Sequence, residues 1–286
     1  MRLQKIIEAE DAVAVIHSGD TIASTGYAGS GTPEQLFVSL ERRFLESGTP
    51  RDLTLVFSTG QGNMKDSGLN RLAHGGLLKR VIGGYFGLSP AIEQLIVEDR
   101  IEAYNLPEGV MTQLYRDIGA GKPGTLSRVG LGTYVDPRLG GGRMNASTVD
   151  DIVQLLVISG RDCLLYKAFP IHVALIRGTT ADPEGNITTE RESLALENLS
   201  LAIAARNSGG IVIAQVERIA AQGSLDARMV KVPGVLVDCV VLAEPQHHMQ
   251  TYGTHFNPAF SGELRIPAQR VHASELTEGK VITQAA

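Results

Sequence analysis

Four short segments carry residue types that could hold a carbonyl oxygen, a carboxylate or a phosphate. They read Gly26-Tyr27-Ala28-Gly29-Ser30-Gly31, Ser58-Thr59-Gly60-Gln61-Gly62-Asn63, Gly83-Gly84-Tyr85-Phe86-Gly87 and Asn105-Leu106-Pro107-Glu108-Gly109. Glycine lets backbone N–H groups approach a ligand with no Cβ in the way, and such donors suit an oxygen-rich ligand. One turn of this kind is more often a tight connection than a site. Four of them after four successive β-rich runs shift the balance toward a site.

Several chemistries fall away. The first segment lacks the G-x-G-x-x-G spacing of dinucleotide binding, no acidic residue appears about 20 positions on at the end of the next strand, where Leu55–Ser58 stands, and no Gly-Lys-Ser/Thr follows. Ser30 is not in a Gly-x-Ser-x-Gly elbow and has no nominated His–Asp pair, so serine hydrolysis is not expected. Among seven histidines, His247 and His248 are adjacent and would point apart on extended backbone, so no metal site is expected. Carboxylates such as Glu41, Glu46, Glu98 and Asp99 fall on polar helix faces. Glu108 differs, because it follows a proline and precedes a glycine at a strand end.

The elements that must position these segments alternate strand and helix, the pattern of a parallel sheet. Candidate strands are Thr21–Thr25, Leu53–Ser58, Arg80–Gly84 and Ile101–Asn105. Helices follow the first and third, most clearly Pro33–Glu46, with Thr32 as N-cap and Gly48 closing the helix. The stretch from Gly124 to Asn145 reads as one long ordered loop. Runs at Ile152–Ile158, Cys163–Ala168 and His172–Gly178 are close enough together to form hairpins. Glu192–Arg206 reads as helix, and Gly210–Val216 and Gly234–Leu242 as buried strands. Roughly the last 25 residues lose the strand pattern, and the end reads as the start of another helix. The expected fold is α/β: an open, mainly parallel sheet flanked by helices, with a glycine-rich loop segment and a small β-rich insertion. In such sheets ligands bind outside the carboxyl ends of the strands.

At 286 residues, 43% hydrophobic and 20% charged, the chain can bury a large core. The net charge of −5 is dispersed, with no basic run, so nucleic acid is not an expected partner. Cys163 and Cys239 both sit in apolar runs, which suits buried thiols in a reducing cytoplasm. Glu8, Glu10 and Asp11 rule out a signal peptide or span at the N-terminus, and no stretch reaches the roughly 18 apolar residues of a membrane span.

The ordered series GDTIASTGYAGSGTPEQL, FSTGQGN, NLPEGVMTQLYRDIGAGKPG, GLGTYVDPRLGGGRMN, RGTTADPEGNIT, AARNSGGIVIAQVERI and FNPAFSGELRIP strongly resembles the first, α-type half of family I coenzyme A transferases. It looks most similar to the fused acetate/3-oxoacid and propionate branch, over about residues 1–267. The resemblance implies transfer of CoA between short-chain carboxylic or 3-oxo acids, a ping-pong route through a glutamyl-CoA thioester, and a fold shared with sugar-phosphate isomerases. The family's nucleophilic glutamate lies in the β-type half, and its glycine-flanked context is not found here. TEGKVITQAA looks like the opening helix of that half, cut short. Residues 1–245 would then form the α-type domain and 246–286 a crossover toward the β-type half.

Carried over by position, Gly26, Tyr27, Ala28, Gly29 and Gly31 resemble the loop bordering the acyl pocket. Ser58, Gly60, Gln61, Gly62, Gly84 and Phe86 resemble its neighbours. Glu108 stands where the family reads Pro-Gln-Gly, the glutamine amide donating to the substrate oxygen. An ionised carboxylate cannot donate, so either Glu108 is protonated by desolvation or the donor role has moved. The implied partners are a β-type half, acyl-CoA and carboxylate substrates, in a homo- or hetero-oligomer; no permanently bound cofactor is implied. A noncatalytic subunit of the same fold is an alternative. A sugar-phosphate isomerase is another, but it would want an acid–base pair with Lys or Arg at the strand ends, and the four segments contain no basic residue.

Overall fold

Residues that alternate along the central strands divide between two cores, one on each face of a sheet. In the computed structural model, which describes residues 5–265 and 267, Ile22, Leu55 and Val81 face one core. Their neighbours Ala23, Val56 and Ile82 face the other. The strands are β1 (Thr21–Ser24), β2 (Leu53–Phe57), β3 (Leu78–Gly83) and β4 (Glu102–Asn105), paired in parallel in that order. On the other side of β1 lie β8 (Val173–Ala181), β10 (Ile211–Ile219) and β12 (Cys239–Leu242), also parallel. Short antiparallel strands β9 (Ile187–Thr188) and β11 (Val230–Val232) extend the end of β8, giving a nine-stranded sheet. All nine residues of β8 are buried, as expected of a strand covered on both faces.

Helices α1 (Ala9–Ala14), α2 (Glu34–Ser47) and α3 (Pro90–Val97) cover one face; α4 (Glu108–Gly119) and α5 (Asn198–Asn207) cover the other. A separate three-stranded antiparallel sheet is formed by β5 (Gly124–Ser127), β7 (Arg161–Lys167) and β6 (Val153–Ile158). This is the expected fold class, small β-rich insertion included. The glycine-rich segment covers the free edge of β4: Asn105 N–H donates to Gly142 O at 2.8 Å and Met144 N–H to Ala103 O at 3.0 Å. An edge so covered offers no template for another chain.

Several local expectations are corrected. His172–Gly178 forms no hairpin but lies in the centre of the main sheet, paired in parallel with β1 and β10. The segment after Gly124 opens with β5 rather than loop. The helix predicted from Glu192 starts only at Asn198, because the preceding stretch is drawn inward by a buried ion pair between Glu192 and Arg177. Gly234–Leu242 is a single 3-10 turn, Gly234–Leu236, followed by β12.

Thr32 does not cap α2. Its hydroxyl donates to Ala28 O at 2.8 Å, Pro33 occupies the cap position, and the Gln35 N–H is satisfied by Oε1 of Gln215 on β10 at 2.9 Å. The unpaired N–H groups of a helix start need such partners. Gly48 does close α2, with φ of 70° and its N–H on Phe44 O. Cys163 and Cys239 are free and half-buried. Among the described residues no helix is long and apolar enough to cross a membrane. The helix expected at the C-terminal end lies outside the described residues.

Candidate active site

Sheet order reverses at β1, which lies between β8 on one side and β2, β3 and β4 on the other, so connections diverge there and leave room at the carboxyl ends. The four glycine-bearing segments leave the ends of β1 to β4 and contact one another. Ala28 N–H donates to Gly60 O at 2.7 Å, and the Thr59 hydroxyl to Gly26 O, joining the first two turns. Gly84 N–H donates to Phe57 O at 3.2 Å, and Asn105 Nδ2 to Gly84 O at 2.8 Å, joining the third to the second and fourth. Gly84 is the tightest point. A Cβ there would overlap the Ser58 carbonyl oxygen and stand 2.6 Å from Glu108 Cγ.

The predicted residues divide into two groups. Gly26, Tyr27, Ala28, Ser58, Gly60, Gly84 and Glu108 come together around these strand ends. Ala28 takes a left-handed φ of 50°, and the Tyr27 side chain is left half exposed at 52%. Gln61, Gly62 and Phe86 form the frame behind them. Gln61 is fully buried, accepting from Ser24 Oγ at 2.9 Å and donating to Ser24 O at 3.2 Å. Gly62 lies against the Leu88 carbonyl. Phe86 is 4% exposed and packs edge-on against Phe57 with ring centroids 5.2 Å apart, a core contact rather than a pocket wall. Gly29 and Gly31 lie under Tyr252 and Leu196, respectively.

Glu108 is not in a loop. It is the first residue of α4, whose cap position is Pro107, and its side chain is exposed. Val110, Met111, Leu114, Tyr115 and Ile118 recur at helical spacing and are all buried, a signal that identifies this helix from sequence. Ser58 is buried and its hydroxyl donates to Glu197, the residue before α5, 139 positions away. Tyr115 places a fully buried hydroxyl without a partner nearby; burial, and then the Glu197 charge, push it far above the ordinary phenol range. No local signal marks Glu197 as the partner of Ser58.

Behind the first turn lies a buried ion pair. Arg177 of β8 donates from Nε to Glu192 Oε1 at 3.0 Å and from Nη1 to Thr32 O at 3.2 Å. Burial alone would raise the Glu192 carboxyl, but the Arg177 charge and then His248 outweigh it and hold it at about 2. His248 accepts at Nδ1 from Gln215 at 3.1 Å, and its Nε2 stands 3.4 Å from Glu192 Oε1. Burial, with Arg177 adding to it, depresses the His248 pKa. His247 is only half-buried. Among the described residues no three His, Cys, Asp or Glu side chains are placed to hold a metal ion.

These features describe an α/β protein in which small-residue turns gather at the carboxyl edge of a doubly wound parallel sheet, beside the carboxylates of Glu108 and Glu197. The chain belongs to the coenzyme A transferase family, whose profile matches residues 6–243. It is 41% identical to caffeate CoA-transferase of Acetobacterium woodii, across 99% of this chain and 54% of that protein. Acyl-CoA transferase YdiF of Escherichia coli O157:H7, solved as a thioester complex with CoA, superposes with a TM-score of 0.89 at 37% identity, over 92% of this chain and 51% of that one. Acetate CoA-transferase subunit alpha of Escherichia coli (strain K12) is 27% identical and is covered over 97% of its length by 84% of this chain. The chain thus spans about half the length of the first two proteins and nearly the whole length of an alpha subunit, and it is similar to the α-type half of family I CoA transferases.

Proposed function

We propose that this chain is the α-type half of an enzyme that moves CoA between short-chain carboxylic or 3-oxo acids, with the attacking glutamate supplied by a β-type half. The observation that carries this reading is the contact of the turns after β1, β2, β3 and β4 with one another, tightest at Gly84, where the absent side chain leaves the Ser58 carbonyl and Glu108 side by side. The partner's carboxylate attacks the acyl-CoA carbonyl and expels CoA thiolate, leaving a mixed anhydride. The thiolate then attacks the glutamyl carbonyl and releases the first acid. The acceptor acid runs the same steps in reverse. Dividing the exchange into these steps is covalent catalysis. This chain's part is to hold the acyl end and to bring donors to the carbonyl oxygen.

Surface chemistry beside the turns supports a partner. Tyr85 is 51% and Tyr134 53% exposed, and the Tyr134 hydroxyl donates to Asn105 at the end of β4, so both stand beside the strand ends. Exposed aromatics of this kind favour an interface. Residues 246–286 are then a crossover toward the β-type half, and two half-buried free thiols suit a reducing cytoplasm. Mixed with a β-type half, acetyl-CoA and an acceptor acid, the chain is expected to exchange CoA; neither half alone should. Failure of every mixture would favour a noncatalytic subunit.

Glu108 carries a separate prediction. Glu108→Gln is expected to preserve or raise turnover of the assembled enzyme, because the amide supplies a donor that an ionised carboxylate lacks. A loss of about 100-fold, the scale of one lost oxyanion donor, would show that the carboxylate itself is needed.

A further inference from the structure

Residues 245–257 lie beyond the family match, which ends at 243, yet they are tied to the sheet at several points. His248 meets Gln215 and Glu192. Gln250 donates from Nε2 to Arg191 O at 2.7 Å and accepts from Asn257 N–H at 2.8 Å. The Arg191 guanidinium stacks on Phe256, 3.6 Å from the ring centroid. These ties bring Tyr252 down onto the first turn. A Cβ on Gly29 would stand 2.6 Å from Tyr252 N and 2.8 Å from its ring, and one on Gly68 would stand 2.7 Å from its hydroxyl. The hydroxyl donates to Glu34 Oε2 at 2.9 Å, and the same oxygen accepts Gly68 N–H at 2.8 Å. Tyr252 is therefore wedged between two glycines, one in the turn after β1 and one in the connection after β2. Beside it lies a cavity of about 220 Å³, also lined by Gly29, Asn63 and Arg71.

We propose that this strap is part of the acyl site, with Tyr252 a positioning residue that holds the Gly26–Gly31 turn in its ligand-binding shape. The inference rests on the CoA-transferase reading. With Tyr252 truncated, the ring's space would merge with the neighbouring cavity. The Gly29 side of the turn would then have nothing to rest on. A free turn samples many backbone states, and the acyl group would have to select one.

The test uses the chain assembled with a β-type half. Tyr252→Ala is expected to raise KM for acyl-CoA, with kcat/KM falling by 10- to 100-fold, roughly the effect of a 1 Å misplacement. Tyr252→Phe, which keeps the ring on Gly29, is expected to stay within about tenfold of the unchanged enzyme. Gly29→Ala, whose Cβ would press on both the Tyr252 backbone nitrogen and its ring, should raise KM as well. A KM for Tyr252→Ala that is unchanged well below the melting temperature overturns the proposal. Amide hydrogen exchange of residues 26–31 reads the same device without catalysis. Protection should fall in Tyr252→Ala and return in Tyr252→Phe, and equal protection in all three proteins overturns the proposal. Were the unchanged assembly to show no CoA exchange, the functional reading would fail while the exchange protection still decided the role of Tyr252.

Discussion

Arg177→Met is expected to destabilise the chain by about 3–5 kcal/mol at neutral pH, the effect of leaving a buried charge without its partner. Both side chains of the Arg177–Glu192 pair are 3% exposed, so water cannot replace the lost guanidinium. The pH dependence follows from the direction of the Glu192 shift. Its folded pKa of about 2 lies below the unfolded value of about 4.3, so its contribution is present above the unfolded value and is lost as pH falls through the folded one. The unchanged chain should therefore lose this stability between about pH 5 and pH 2. In the variant the unpaired carboxylate takes up a proton more readily when folded, so the gap between the two proteins narrows on acidification. Urea unfolding at neutral and acid pH checks this, and a gap that is the same at both contradicts it. Arg177→Met with Glu192→Leu should recover most of the loss, since a buried pair replaced by apolar groups is often neutral.

Gly84→Ala is expected to lower CoA exchange by the assembled enzyme by about 100-fold. The new Cβ would overlap the Ser58 carbonyl oxygen, a backbone atom that cannot rotate aside, and would press on Glu108 Cγ at 2.6 Å. Relief requires the ends of β2 and β3 to part, which displaces the second and third turns together. The strain should also cost about 1–3 kcal/mol, as overpacking does. CoA exchange and thermal melting of the same preparation separate the two effects. Activity within a few-fold of the unchanged enzyme would show that the turns do not need this spacing.

Much of the β1–β4 side of the sheet was legible because its signals are local. Alternating apolar runs marked β1 to β4, each ended by small residues, and Gly48 terminated α2 through a left-handed φ that glycine tolerates. The α4 helix was missed because Pro107-Glu108-Gly109 reads as turn punctuation, although the apolar spacing after it is helical. The placement of β8 was not legible from neighbours in the chain. Its β-rich run looks the same whether it pairs with β7 next door or with β1, about 150 residues away. The candidate site shows the same division. Glycine turns announced themselves, whereas the Gln215 bond to the α2 terminus, the Glu197 bond to Ser58 and the Tyr252 bond to Glu34 span 180, 139 and 218 positions. Nothing in either local stretch encodes them; they exist only once the strand ends are assembled.

In the proposed enzyme this chain cradles the acyl group while the attacking carboxylate comes from its partner. Mixing the two halves with acetyl-CoA, trapping the covalent CoA adduct and mapping it by peptide mass spectrometry tests this division most directly. The adduct is expected on a glutamate of the β-type half, with every peptide of this chain unmodified. CoA carried on Glu108, Glu197 or any other carboxylate of this chain would contradict it.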